Sequence, residues 1–205
     1  MFRSSSSKLL RVGGSALLAS AFYARQPASG MTRPALMEEK KAVPQSKMYY
    51  RTLGNTGLAV SVLSYGFWAS FGTKKDLMDD SGLKEAMDCL RVAREGGINL
   101  FDNAEVYGNG EAEKLMGEAF RRLKLEDPTL WRRSDLVITT KIFWAGGGVN
   151  ERGLSNKHIM EGTEAALKRL QLDYVDLIFC HRPDALTPTE TVVRAMTQVV
   201  RSGKG

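Results

Sequence analysis

Four residues with reactive side chains stand at or just beyond the ends of apolar runs. Asp102 closes "INLFD", Tyr107 follows in the next loop, Lys141 falls near the end of "DLVITTKIF", and His181 follows "YVDLIFC". Together these types can do one kind of chemistry. A phenol, with an ordinary pKa of about 10, is a poor acid at neutral pH. A neighbouring ammonium favours the phenolate, and a carboxylate beside that ammonium keeps it charged and oriented. A phenol so primed can give a proton to a carbonyl oxygen as hydride arrives at the carbon. A histidine can hydrogen-bond the same oxygen and position it. In this reading Asp102 anchors Lys141, Lys141 primes Tyr107, and His181 orients the substrate.

Taken singly, each residue has a plainer reading. Asp102 is a turn former, Tyr107 an amphipathic packing residue, Lys141 a solvated charge, and His181 a satisfied hydrogen-bond partner. Trp68 and Trp144 read as core residues, and Gly108 and Gly110 as turn and helix-entry residues. The weight lies in the combination, which requires elements that bring the strand ends together.

Those elements alternate. "MYYRTLGNTGLAVSVLSYG" is two β-patterned runs separated by Gly-Asn-Thr-Gly, a hairpin signal. Residues 83–95 put Ala86, Leu90 and Ala93 on one helical face, and Gly96-Gly97 stops that helix. A strand over 98–102 precedes a helix over 111–123 with Leu115, Met116, Ala119, Phe120 and Leu123 inward. A strand over 135–143, a helix over 154–172 with Ser155 as N-cap, a strand over 174–181 and a helix over 189–205 complete the order. Such alternation specifies a parallel sheet covered by helices, either doubly wound or a (β/α)8 barrel. No GxGxxG follows the first strand, which weighs against the doubly wound form. In a barrel the four residues project into one mouth, the face that carries catalysis.

The text around these residues resembles the aldo-keto reductase superfamily, and within it the branch of voltage-gated potassium channel β subunits. The resemblance rests on "YRTLGNTGLAVSVLSYGFW", "GINLFDNAEVYGNGEAE", "RRSDLVITTKIFW", "RGLSNKHIMEG", "RLQLDYVDLIFCHRPD" and "ETVVRAMTQVVRSGKG", and runs almost continuously from 48 to 205. It implies a (β/α)8 TIM-type barrel, NADPH as hydride donor and small aldehydes or ketones as substrates. It places Asp102, Tyr107, Lys141 and His181 in the catalytic tetrad. Trp68, Asp102 and His181 then match positions at the nicotinamide end, and Trp144 a position near the substrate mouth. Channel β subunits carry Asn where this chain has His181, the usual residue of the wider family, which favours a working reductase over a slow cofactor sensor. Phe67 in place of Thr, and Lys74 in place of Gln, depart from the expected cofactor contacts. The branch also implies tetramers and docking on a potassium-channel α subunit, the second functional reading.

Length bounds the rest. A barrel of this type needs about 250 residues, and the chain has 205. The expectation is a barrel truncated to about its first four β/α units behind an N-terminal hairpin, with residues 1–47 as extension and 48–205 as the half-barrel. An inactive truncated product is the third reading. Residues 1–37 carry Arg3, Lys8, Arg11, Arg25, Arg33 and no acid. That composition reads as a mitochondrial or plastid transit peptide, as a signal-like core over 12–24, or as a plain extension of a cytoplasmic protein. The rest carries 24 basic and 23 acidic residues, so the net charge of +6 does not indicate a nucleic-acid partner. The apolar run over 12–24 is too short to span a bilayer. Cys89 and Cys180 form no disulfide framework or CxxC and read as reduced core thiols. With only His158 and His181, and His158 expected exposed on a helix, no zinc site is expected.

Overall fold

The computed structural model describes residues 47–72 and 79–205. Residues 1–46 of the expected N-terminal extension, and Lys74, lie outside the described residues. Two short strands, β1 (Tyr50–Thr52) and β2 (Ala59–Ser61), pair antiparallel as the hairpin. They are followed by β3 (Ser64–Gly66), the short helix α1 (Phe67–Phe71), α2 (Asp80–Glu95) and β4 (Leu100–Asp102). A 3-10 turn at Tyr107–Gly110 leads into α3 (Glu111–Glu126), β5 (Val137–Ile142), α4 (Asn156–Leu170), β6 (Leu177–Cys180) and α5 (Thr189–Arg201).

The strands β3-β4-β5-β6 form one four-stranded sheet in sequence order, every pair parallel. Gly66 pairs with Asp102, Asp102 with Thr139 and Lys141 with Phe179, so the carboxyl ends of the strands share one edge. The arrangement is that of consecutive β/α units of a TIM-type barrel, and among the described residues the sheet is open. Among the described residues β3 and β6 have one neighbour each and are its edges.

Apolar periodicity decides what packs inside. Ala86, Leu90 and Ala93 of α2, and Leu115, Met116, Ala119, Phe120 and Leu123 of α3, are all buried against Phe101 and Ile138 of the sheet. Full burial of each large side chain contributes roughly 1.5–3 kcal/mol. A smaller cluster joins Leu154 and Ile159 to Ala195 and Val199 of α5. Ser155 caps α4 as its sequence suggested, accepting from the His158 N–H at 3.1 Å. Helix α2 begins earlier than the sequence pattern indicated, because Asp79 caps it through Gly82 N–H at 2.6 Å. The hairpin is tied beneath the amino ends of β4 and β5 by Asn99, whose side chain accepts from Ser61 N–H at 2.8 Å and donates to Ala59 C=O at 3.0 Å.

Two expectations are corrected. Cys180 is exposed rather than a core thiol, because among the described residues β6 is an edge strand; Cys89 is half-buried. His158 is only 3% exposed, because its face of α4 turns onto the carboxyl end of β5 rather than to solvent. No helix among the described residues is long and apolar enough to cross a membrane.

Candidate active site

The parallel register brings together the residues that the sequence singled out. Asp102 ends β4, and Lys141 is the penultimate residue of β5. His181 follows β6, its N–H donating to Ile142 C=O at 3.0 Å. The chain leaves β4 still laddered to β5, through Asn103 N–H to Thr139 C=O and Glu105 N–H to Lys141 C=O, both at 3.2 Å. It then turns at Tyr107. Gly108, Asn109 and Gly110 all have positive φ (56°, 56° and 90°), which releases α3 immediately after the tyrosine.

Lys141 is the hub. Its Nζ donates to Asp102 Oδ2 at 2.6 Å, to Asn103 C=O at 2.8 Å and to Tyr107 Oη at 3.0 Å. An ammonium has three N–H bonds, and all three are used. The other carboxylate oxygen, Asp102 Oδ1, accepts from Thr139 Oγ1 at 2.7 Å, which holds the acid in place. Lys141 and Asp102 are 15% and 29% exposed, so the pair lies at the mouth rather than in the deep core.

Two aromatic contacts frame Tyr107. The Trp68 ring lies 4.9 Å from it, and the His181 ring 6.0 Å away at 79°. Trp68 is 51% exposed, so one face of the indole is open. Helix α1 is fixed to the Tyr107 turn by Gly108 N–H donating to Gly72 C=O at 2.7 Å. The His181 imidazole is held below its ordinary pKa, first by burial and then by Lys141 and Arg182, so it is neutral at physiological pH. Its Nδ1 is buried without a hydrogen-bond partner among the described residues. Trp144 packs on Phe143 at 4.4 Å and lines a cleft of about 460 Å³ with Asn109, Arg152 and Arg169, beside the tyrosine turn. Phe67 is fully buried on Tyr65 and Phe71 and is part of the core.

A shell of buried polar groups behind the site escaped the sequence reading. Glu105 takes the Phe143 N–H, and His158 Nε2 lies 3.3 Å from its Oε1. Glu113 accepts from Thr140 Oγ1 at 2.5 Å and from Arg169 Nε at 2.6 Å. Burial pushes the Glu113 carboxyl up against the opposing pull of Arg169. One signal for Glu113 was available: it shares the helical face of Met116 and Phe120.

Comparison with known proteins bears on family and fold. The profile described as "Aldo/keto reductase family" matches residues 62–204. A protein of Arabidopsis thaliana named "Probable voltage-gated potassium channel subunit beta" is 55% identical over 156 residues, and its namesake of Oryza sativa subsp. japonica 53%. Each alignment covers 76% of this chain and 44% of the relative. A crystal structure of a thermostable aldo-keto reductase in complex with the inhibitor epalrestat superposes with a TM-score of 0.63 at 33% identity. That match covers 77% of this chain and 51% of the other. The chain therefore spans about half the length of the relatives it matches.

Proposed function

The chain belongs to the aldo/keto reductase family, and on that premise we propose that it is an NADPH-dependent reductase of small aldehydes and ketones in which Tyr107 is the proton donor. The observation that carries the reading is the simultaneous reach of Lys141 Nζ to Asp102 at 2.6 Å and to Tyr107 at 3.0 Å. The substrate oxygen accepts the Tyr107 proton, and the positive charge nearest the phenolate left behind is Lys141. Asp102 holds that charge in register. His181, neutral, offers an N–H to the same oxygen without adding a competing cation. Trp144 forms a wall where the substrate enters.

The residues present suit a nicotinamide. Trp68, half-exposed, packs against Tyr107, and the Asp102 carboxylate is linked to the same tyrosine through Lys141 Nζ. Trp68, Asp102 and His181 would hold that ring. When bound, NADPH would supply a hydride to the carbonyl carbon.

The test is NADPH oxidation over a panel of aldehydes and ketones, with the protein at the length at which the cell makes it. Tyr107→Phe is expected to lose about 10²–10⁴ in kcat. No turnover by the unmodified protein, or equal turnover by the variant, refutes the reading.

A second reading is an accessory subunit of a potassium channel. Its support is the name carried by both plant relatives. Recovery of no channel α subunit in a pull-down from native membranes would count against it.

A further inference from the structure

We propose that Glu105 is a positioning residue: a buried carboxyl that sets the end of β5, and with it the reach of Lys141, and fastens both ends of the loop that carries Trp144.

Its side chain is fully buried, and its partners lie on other elements, 38 and 53 residues away. The Glu105 N–H donates to Lys141 C=O, while Oε1 of the same residue accepts from the N–H of Phe143. One residue thus grips the β5 backbone on both sides of Ile142, immediately beside the lysine. The loop over 143–155 begins at Phe143, and the first turn of α4 that receives it contains His158. The contact of His158 Nε2 with Glu105 Oε1, at 3.3 Å, therefore closes the loop base from the far side. Asp184 completes the hold from the loop after β6, accepting from Leu154 N–H at 2.7 Å.

The packing leaves the carboxyl no freedom. A Cβ on Gly162 would lie 3.2 Å from Glu105 Oε2 and 3.2 Å from Ile142 Cγ2, so α4 presses on the group from outside. Oε2 itself has no hydrogen-bond partner among the described residues. A group kept in so enclosed a place with one oxygen unused serves the other oxygen, which bears both the Phe143 and the His158 contacts. Among the described residues no tetrad side chain hydrogen-bonds to Glu105; its carboxylate bears on His181 through charge alone, and its hold on Lys141 runs through the β5 backbone.

The kinetic part of the test rests on the reductase reading. Glu105→Met removes the acceptor at similar shape, and is expected to lower kcat by roughly 10–100-fold, the cost of displacing a reacting group by about 1 Å. KM for NADPH is expected to stay within about twofold, because the Trp68 side of the mouth is untouched. Glu105→Gln retains a carbonyl oxygen for Phe143 N–H and should return kcat to within about threefold of the unmodified protein. If Glu105→Met does not fold, Glu105→Asp replaces it: the acid is kept but falls short of Phe143, and the same loss is expected. Amide exchange at Phe143 supplies a readout free of turnover, and should rise at least about tenfold in the Met or Asp variant. Unchanged kcat, a Gln variant as damaged as the Met variant, or unchanged protection at Phe143 would overturn the proposal. Absence of turnover in the unmodified protein would refute the reductase reading alone. The exchange measurement then decides the role of Glu105.

Discussion

Replacement of Lys141 by methionine removes one charge and keeps the stem. At 3.0 Å from Tyr107 Oη, and at an effective dielectric of about 20 for a partly buried pair, the ammonium is worth about 5 kcal/mol to a full phenolate charge. Only part of that charge has developed in the transition state. Half of it corresponds to about 2.5 kcal/mol, close to a 10²-fold rate, and full development to about 10⁴-fold. The expected loss in kcat for NADPH-dependent aldehyde reduction lies between those values. Stability should change little, by about 1 kcal/mol, because Asp102 keeps the Thr139 hydroxyl and is reached by solvent. The same substitution in a Tyr107→Phe background isolates the route of action. If Lys141 works through the phenol, it should cost less than about threefold there, since residues that act as a unit are strongly non-additive. A loss below about threefold in the single variant, or an undiminished loss in the double variant, refutes the reasoning.

Three further outcomes follow from the packing and charge. His181, held below its ordinary value chiefly by burial, should titrate below pH 6.5 in an NMR experiment on the folded protein. The unfolded chain then takes up this proton first, so as pH falls below about 6.5 the residue subtracts stability until its folded midpoint is passed. His181→Asn should lack that component, and equal pH dependence of Tm in both proteins would refute it. Glu113→Ala leaves Arg169 and Thr140 without their buried partner and should lower the unfolding free energy by about 3–5 kcal/mol in urea. Gly117→Ala should cost about 1–3 kcal/mol, because its Cβ would sit 2.6 Å from the Leu170 carbonyl carbon, and neither backbone can yield without moving α3 from α4. A Tm equal to that of the unmodified protein would refute this.

The parts of the site readable in advance were those coded by period and position. Asp102, Lys141 and His181 each lie at or next to the end of an apolar run, and parallel pairing turns three such ends into one edge. Helix faces were equally legible, because 3.6-residue spacing places Leu115, Met116 and Ala119 together whatever they pack against. What escaped were contacts that depend on how helices sit on strands. Glu105 and His158 are 53 residues apart and Glu113 and Arg169 56 apart, and no local pattern joins them. His158 looked exposed because its neighbours Lys157 and Glu161 are polar, yet its own face of α4 is the one that lies over β5. Cys180 looked like a core thiol because "LIFC" is apolar, but an edge strand exposes what a central strand would cover.

The three acceptors around Lys141 bear also on a reaction that the site must not perform. Amines condense with aldehydes, and a lysine with a free lone pair in a pocket for carbonyl compounds would capture its own substrate as an imine. Here every N–H of the ammonium is committed, to a carboxylate, a backbone carbonyl and a phenol. A nitrogen so engaged presents no lone pair to an incoming carbon. The cage that makes Lys141 useful to Tyr107 also keeps it from becoming a nucleophile, so a site that takes carbonyl compounds, as proposed, would process them rather than be trapped by them as imines.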